Sequence, residues 1–264
     1  MPETSEVSAV VLALREDLPH ALVAVDFDGT LAPIVADPAA SRPLPGAVDA
    51  LTAIAKRGAR VAIISGRDVQ TVMELGGLAA VPGLLVAGLH GAEEWRDGAI
   101  YTPDTPEVIR RLRDRLPGLV DRQAIDPRVW IEDKRLSLVV HGRLTDDPES
   151  ALDPLRGPIA ELGDELGLDV HPGRGVIELR LPDIDKGGAL RRIVERVSAR
   201  CVLYIGDDVG DLPAFAAVAE LRDGGLPAWS VAVATREVPE VAAAANLTVD
   251  GPAGVLALLA AIAG

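Results

Sequence analysis

Ala21-Leu-Val-Ala-Val-Asp26-Phe-Asp28-Gly-Thr30 is the stretch on which the fold turns. Five apolar residues in a row end on two carboxylates and a glycine. An apolar run this short, with no polar alternation, is what a parallel strand covered on both faces looks like. The carboxyl end of such a strand is where open α/β sheets bind their ligands. If the strand persists to residue 28, alternation puts Asp26 and Asp28 on one side. A plain turn is the other reading of Asp and Gly, and the position directly after a buried run weighs against it. Adjacent carboxylates repel, a divalent cation offsets the repulsion, and an all-oxygen ligand set suits Mg²⁺.

The same texture recurs outward from this segment. Short apolar runs at 60–64, 84–87, 202–205, 230–234 and, more weakly, 247–249 alternate with helical patterns. Residues 4–16, with Thr4 as cap, read as a leading helix, as do 187–197 and 252–262. Another starts near Pro45, repeats Val48, Leu51 and Ile54, and ends at Gly58. Together they predict an α/β fold with a doubly wound, Rossmann-like parallel sheet. Between about 103 and 182 the pattern changes to helix (107–116), strands (129–133, 136–143), helix (148–166) and two strands in 168–181 around Pro172-Gly173-Arg174-Gly175. That order predicts an α+β unit with an antiparallel sheet, inserted as a cap (104–181) into a catalytic core (1–103 and 182–264).

Of 264 residues 48% are hydrophobic, enough for a sizeable core, and 40 acidic against 26 basic residues leave a net charge of −14. Such a field repels nucleic acid and anionic lipid, so a small anionic substrate needs local cations or a metal at its site. Cys201 is the one cysteine, which excludes an intrachain disulfide. Glu3 and Glu6 stand where a signal peptide would be basic, and no apolar run approaches the roughly 20 residues of a membrane span. The expectation is a cytoplasmic protein without membrane or nucleic-acid partners, and a monomer is compatible with it. Aromatic residues make up 3% of the chain, so a stacked aromatic platform for sugar is poorly supplied.

A second acidic cluster, Gly206-Asp207-Asp208-Val-Gly-Asp211, again follows an apolar run. Helix capping by Asp208 or Asp211 would explain it alone. Two such clusters at one sheet edge would destabilise the protein without a cation, so a metal is the economical inference. Ser65-Gly66-Arg67 ends another run and offers a hydroxyl and backbone N–H groups to anionic oxygens. Lys186, after Asp183 and Asp185, adds an ammonium that can clamp a phosphoryl group.

In order, Asp26-x-Asp28-Gly-Thr, Ser65, Lys186 and Gly206-Asp207-Asp208 resemble the four motifs of the haloacid dehalogenase superfamily of phosphotransferases. Asp26-Phe-Asp-Gly-Thr-Leu-Ala-Pro-Ile34, Ile64-Ser-Gly-Arg67, Gly88-Leu-His-Gly-Ala-Glu93, Glu132-Asp-Lys134, His141-Gly-Arg143, Gly175-Val-Ile-Glu178 and Asp185-Lys-Gly187 narrow the resemblance to the trehalose-6-phosphate phosphatases. The resemblance implies that Asp26 is the nucleophile, Asp28 the general acid and base, and Ser65 and Lys186 the phosphoryl-binding groups. It implies that Asp26, Asp207 and the Asp28 carbonyl hold Mg²⁺, with Asp208 supporting them and Asp211 orienting Lys186 or a metal-bound water. Arg67, His90 and Gly91 would face the substrate, and Glu132, Lys134, Arg143 and Glu178 would bind sugar hydroxyls; His141 is left aside as structural. The expected substrate is trehalose 6-phosphate, the alternatives being a related sugar or pseudodisaccharide phosphate, or a catalytically silent sugar-phosphate sensor. Two departures stand out: the family commonly has Tyr where this chain has Gly142, and Thr and Glu where it has Gly210 and Leu212.

Overall fold

The computed structural model describes residues 4–102, 105–134, 136–173, 175–182, 184–234 and 239–264. Glu3, the Thr4 side chain, Arg174 and Asp183, all used in reading the sequence, lie outside the described residues. Helix α1 (Thr4–Glu16) leads into β1 (Ala21–Val25), followed by α2 (Ala47–Lys56), β2 (Arg60–Ile64), α3 (Val69–Gly76), β3 (Leu85–Gly88), β4 (Glu93–Arg96) and β5 (Ala99–Tyr101). An interposed stretch contains α4 (Glu107–Gln123), β6 (Trp130–Asp133), β7 (Ser137–His141), α5 (Pro148–Leu166), β8 (Asp169–Gly173) and β9 (Val176–Arg180). The chain closes with α6 (Lys186–Val197), β10 (Cys201–Gly206), α7 (Leu212–Asp223), β11 (Ala228–Ala234), α8 (Pro239–Ala244), β12 (Leu247–Asp250) and α9 (Gly251–Ala263). By internal contacts it divides into two units, Met1–Thr102 with Asp185–Gly264, and Pro103–Ile184.

The larger unit carries a sheet of order β12-β11-β10-β1-β2-β3-β4-β5. Its strands are parallel from β12 to β3 and antiparallel through β4 and β5. Every residue of β1 and β10 is buried, as a sheet covered on both faces requires. Val23, Val25, Val61 and Ile63 join one core with Leu14, Leu51, Ile54 and Leu259 of α1, α2 and α9. Their neighbours Leu22, Ala24, Ala62 and Ile64 join the other with Leu190, Ile193, Phe215 and Val218 of α6 and α7. Each of the valine, leucine, isoleucine and phenylalanine side chains contributes about 1.5–3 kcal/mol when fully buried. From β1 the chain moves outward through β2 and β3, and later returns to β10 on the other side of β1. The carboxyl end of β1 is therefore the topological switch point.

The smaller unit has an antiparallel sheet of order β6-β7-β9-β8. Leu138, Val140, Ile177 and Leu179 of this sheet pack with Ile109, Leu112, Leu116, Leu152, Leu155 and Ile159 of α4 and α5. Trp130, Glu132, Ser137, Val139, His141 and Glu178 alternate with those positions and belong to the opposite face.

Three expectations need correction. Helix α4 does not stop at 116 but runs through Pro117 to Gln123, since burial of Leu116 and Val120 on the sheet offsets the hydrogen bond that proline removes. The β4–β5 hairpin was not expected. Strand β1 ends at Val25, so Asp26 and Asp28 are not successive same-side residues of one strand; Phe27 is fully buried between them.

Candidate active site

Beyond β1 the backbone makes one more ladder bond, Asp26 N–H to the Ile205 carbonyl at 2.9 Å, then turns with Leu31 and Ala32 N–H donating to the Phe27 carbonyl. Gly29 is what lets this turn close against β10. Its φ is +78°, and a Cβ there would lie 2.0 Å from Asp207 Oδ2, so any side chain would displace that carboxylate. Thr30, fully buried, donates its hydroxyl to Asp207 Oδ1 at 3.0 Å. Asp26 and Asp207 are thus brought together from two strands by a glycine that admits the second and a threonine that holds it.

Lys186 is the first residue of α6, whose N-cap Asp185 accepts from Gly188 N–H at 2.7 Å. Its ammonium is buried, 2.9 Å from Asp26 Oδ1 and 2.7 Å from Asp211 Oδ1. Asp211 Oδ1 also accepts from the buried Tyr204 hydroxyl at 2.6 Å, and Oδ2 accepts the N–H groups of Asp207 and Asp208 at 2.9 and 3.1 Å. Burial works against the charge on Lys186, but Asp26 and Asp211 overcome it and raise its pKa above the ordinary lysine value. Burial pushes the Asp26 carboxyl well up, more than Lys186 draws it down, and Asp211 and Asp207 push the same way. Asp207 is pushed up to about 6, chiefly by burial and against the pull of the Thr30 hydrogen bond. Three carboxylates around one ammonium, among the described residues, leave negative charge uncompensated.

Oxygens of Asp26, Asp207 and Asp211 all lie within 4.8 Å of one another. The donors already on Asp211 engage both of its oxygens, which leaves Asp26 and Asp207 as the available ligands. Hard oxygen donors in an electron-rich cluster fit a divalent cation of the Mg²⁺ type.

Ser65 directly follows β2 with its side chain buried, and its carbonyl accepts from His90 N–H at 2.9 Å. His90 has a φ of 57°, and a Cβ on Gly66 would meet its Cε1 at 3.0 Å. The imidazole therefore lies against the Ser65-Gly66-Arg67 loop. Asp26, Asp28, Ser65, Arg67, His90 and Lys186 line one cleft of about 230 Å³, together with Gly66, Asp208 and Gly210.

Not every expected residue takes its expected position. Arg67 lines the cleft but is engaged there by Asp28, Nε to Oδ2 at 2.5 Å and Nη2 to Oδ1 at 2.8 Å. Asp208 is exposed and caps Gly210 N–H at 2.8 Å. Gly91 is buried, and its carbonyl accepts from Arg192 at 2.9 Å away from the cleft lining. Glu132, Lys134, Arg143 and Glu178 belong to the smaller unit. There Glu132 Oε2 lies 2.9 Å from His141 Nε2 and 3.9 Å from Lys134 Nζ, and Glu178 Oε1 accepts from Ser137 at 2.7 Å. Residues the sequence reading passed over are Thr30, Tyr204 and Ser41. Ser41 is buried, and its hydroxyl donates to Asp28 Oδ1 at 2.9 Å. Thr30 belonged to the quoted motif, whereas nothing in the pattern around Ser41 marks it.

The sequence model of the family described as trehalose-phosphatase matches residues 24–253, nearly the whole chain and every core residue just placed. The chain belongs to the trehalose-phosphatase family. It is 36% identical over 256 residues to the trehalose-phosphate phosphatase of Mycobacterium leprae (strain TN), covering 91% of this chain and 57% of that protein. To the protein of the same description from Mycobacterium avium (strain 104) it is 37% identical over 243 residues, covering 89% and 60%. The chain thus spans somewhat over half the length of the curated relatives it matches. Among solved structures, Aspergillus fumigatus trehalose-6-phosphate phosphatase superposes with a TM-score of 0.79 at 26% identity, covering 97% of this chain and 96% of that one. No helix among the described residues is long and apolar enough to cross a membrane.

Within the trehalose-phosphatase family Gly142 has a structural reason. A Cβ at 142 would lie 2.7 Å from the Pro148 carbonyl oxygen and 3.1 Å from Leu152 Cγ. The start of α5 occupies the space that the ring common in the family would need. Leu212, the other departure, opens α7 and packs against the second core.

Proposed function

We propose that this chain is a Mg²⁺-dependent phosphatase that hydrolyses trehalose 6-phosphate through a phosphoryl-aspartate on Asp26. The observation that carries this reading is the buried Lys186 ammonium shared by Asp26 and Asp211 at the switch point of the sheet, in a chain of this family. Asp26, Asp207 and the Asp28 carbonyl would hold the cation, which supplies charge neutralisation between the carboxylates and the incoming phosphoryl oxygens.

Asp26 attacks phosphorus through a carboxylate oxygen. As that bond forms, the bond from phosphorus to the sugar oxygen breaks, and Asp28 gives its proton to the departing oxygen. Asp28 then takes a proton from water, which attacks the phosphoryl-aspartate and releases phosphate and Asp26. Ser65 and Lys186 bind the transferring oxygens. Because the transition state is largely dissociative, positioning and charge stabilisation are the protein's main work. Arg67 and Ser41 hold the Asp28 carboxylate at the cleft; for Asp28 to act as an acid, Arg67 must let go of that carboxylate, and substrate oxygens are the natural alternative partner for the guanidinium. We assign sugar recognition to the sheet face of the smaller unit, residues 104–181, that lies opposite α4 and α5, through Glu132, Lys134, Arg143 and Glu178.

The test is phosphate release from a panel holding trehalose 6-phosphate, sucrose 6-phosphate, glucose 6-phosphate and p-nitrophenyl phosphate, each with Mg²⁺ and with EDTA. The reading expects trehalose 6-phosphate to have the highest kcat/KM and EDTA to abolish turnover. Equal rates across the sugar phosphates would remove the substrate assignment, and full activity in EDTA would remove the cation.

A further inference from the structure

Strand β7 lies between β6 and β9, the strands that carry Glu132 and Glu178. To the sheet face opposite α4 and α5 it contributes two buried polar side chains, Ser137 at 7% and His141 at 8% exposure, one on each side of Val139. In the register, Val139 is directly opposite both Glu132 and Glu178. Ser137 and His141 are therefore diagonal neighbours of the two carboxylates, within reach of long side chains.

Each makes one bond to one carboxylate. His141 Nε2 is 2.9 Å from Glu132 Oε2; a carboxylate only accepts, so Nε2 carries the hydrogen. Ser137 donates to Glu178 Oε1 at 2.7 Å. The imidazole is itself held flat by Trp130, opposite it in the register, with ring centroids 4.2 Å apart and planes 8° from parallel. In both glutamates one oxygen is fixed from β7. Among the described residues, no protein hydrogen bond to Glu132 Oε1 or Glu178 Oε2 accompanies it. A carboxylate fixed by one oxygen and open at the other is pre-oriented to accept from a ligand hydroxyl, and pre-orientation lowers the entropy lost on binding.

We propose that His141 and Ser137 are positioning residues for substrate selection, each acting through its own glutamate on a polyhydroxylated leaving group. This deepens the proposed function and rests on its assignment of sugar recognition to Glu132 and Glu178. It gives His141 a role that the sequence alone did not.

The experiment compares kcat/KM for trehalose 6-phosphate with that for p-nitrophenyl phosphate in wild type, His141→Ala, His141→Gln, Ser137→Ala, Glu132→Ala, Glu178→Ala and the crossed doubles. The ratio of the two should fall about 3- to 30-fold in His141→Ala and in Ser137→Ala, inside the span of coupling energies seen within one hydrogen-bond network, and through KM more than kcat. His141→Gln, whose amide N–H can still donate, should recover part of it. His141→Ala should have no further effect on the ratio in Glu132→Ala, yet keep its full effect in Glu178→Ala; Ser137→Ala should show the converse. A general loosening of the sheet would not respect those pairings. Losses that multiply in every double, or an unchanged ratio in both single variants of a wild type selective for trehalose 6-phosphate, would overturn the proposal alone. A wild type active on p-nitrophenyl phosphate and inert to every sugar phosphate would overturn the substrate reading beneath it.

Discussion

Replacing Lys186 by Met keeps the length and apolar character of the stem and removes the charge. In the folded protein that charge lies 2.9 Å from Asp26 and 2.7 Å from Asp211, its side chain 5% exposed. At an effective dielectric of about 20, each contact is worth roughly 6 kcal/mol of Coulomb attraction, much of it offset by the cost of burying the ions. The net penalty for leaving buried charge unpaired is about 3–5 kcal/mol. For a unit of this size each kcal/mol lowers Tm by about 2–4 °C, so scanning calorimetry in EDTA at pH 7 should show a fall of roughly 6–20 °C. Part of that fall should be recovered by millimolar Mg²⁺, and turnover should drop about 10²- to 10³-fold as for other lost electrostatic clamps. The gap in Tm should narrow at lower pH. Burial already raises the Asp26 and Asp207 carboxyls, and protonating them removes the repulsion that the ammonium had relieved. A variant with wild-type Tm in EDTA at pH 7 would refute the idea that Lys186 neutralises this cluster.

Other perturbations report on neighbouring parts of the site. Asp28→Ala should lose about 10²- to 10⁴-fold on trehalose 6-phosphate but less on p-nitrophenyl phosphate, whose phenolate needs no proton to leave; single-turnover kinetics measure both. Gly29→Ala should cost about 2–5 kcal/mol, from roughly 1–2 for the left-handed backbone and about 1–3 for the overlap with Asp207; isothermal titration should show Mg²⁺ affinity lost as well. Asp68 caps α3 by accepting from Thr71 N–H and hydroxyl at 2.8 and 2.7 Å. Burial opposes its charge, but those bonds hold its pKa below the usual carboxylate range. Its stabilising contribution is therefore full above the unfolded pKa of about 4 and lost as pH falls through the lowered folded value. Asp68→Ala should cost about 0.5–2 kcal/mol at pH 7, and acid denaturation should show that difference vanishing below pH 4.

What the sequence revealed follows from how each element is stabilised. Strands β1 and β2 could be read to the residue because burial on both faces leaves an unbroken apolar run with polar ends. The β4–β5 hairpin escaped because Glu93-Glu94-Trp95-Arg96 lies toward the sheet edge, where solvent admits charge. Its turn, Asp97-Gly98, with φ of 51° and 79°, was nevertheless a recognisable hairpin signal. Asp26 and Asp207 were legible because carboxylates placed directly after buried apolar runs stand out, and Lys186 because an ammonium fits beside such acids at a phosphoryl site. The bond from Ser41 to Asp28 was not, because it joins a loop to a turn with no periodicity to announce it. The link between His141 and Glu132 depends on cross-strand register, which sequence spacing does not specify.

Attack by Asp26 on a sugar phosphate can be caught by mixing the protein and Mg²⁺ with trehalose 6-phosphate labelled with ³²P and quenching in acid within one turnover. Label should bind to protein, on the peptide containing Asp26, before free phosphate appears, and should be absent from Asp26→Asn. Phosphate released at the wild-type rate by Asp26→Asn, or rapid release with no labelled protein at any time, would contradict attack by Asp26.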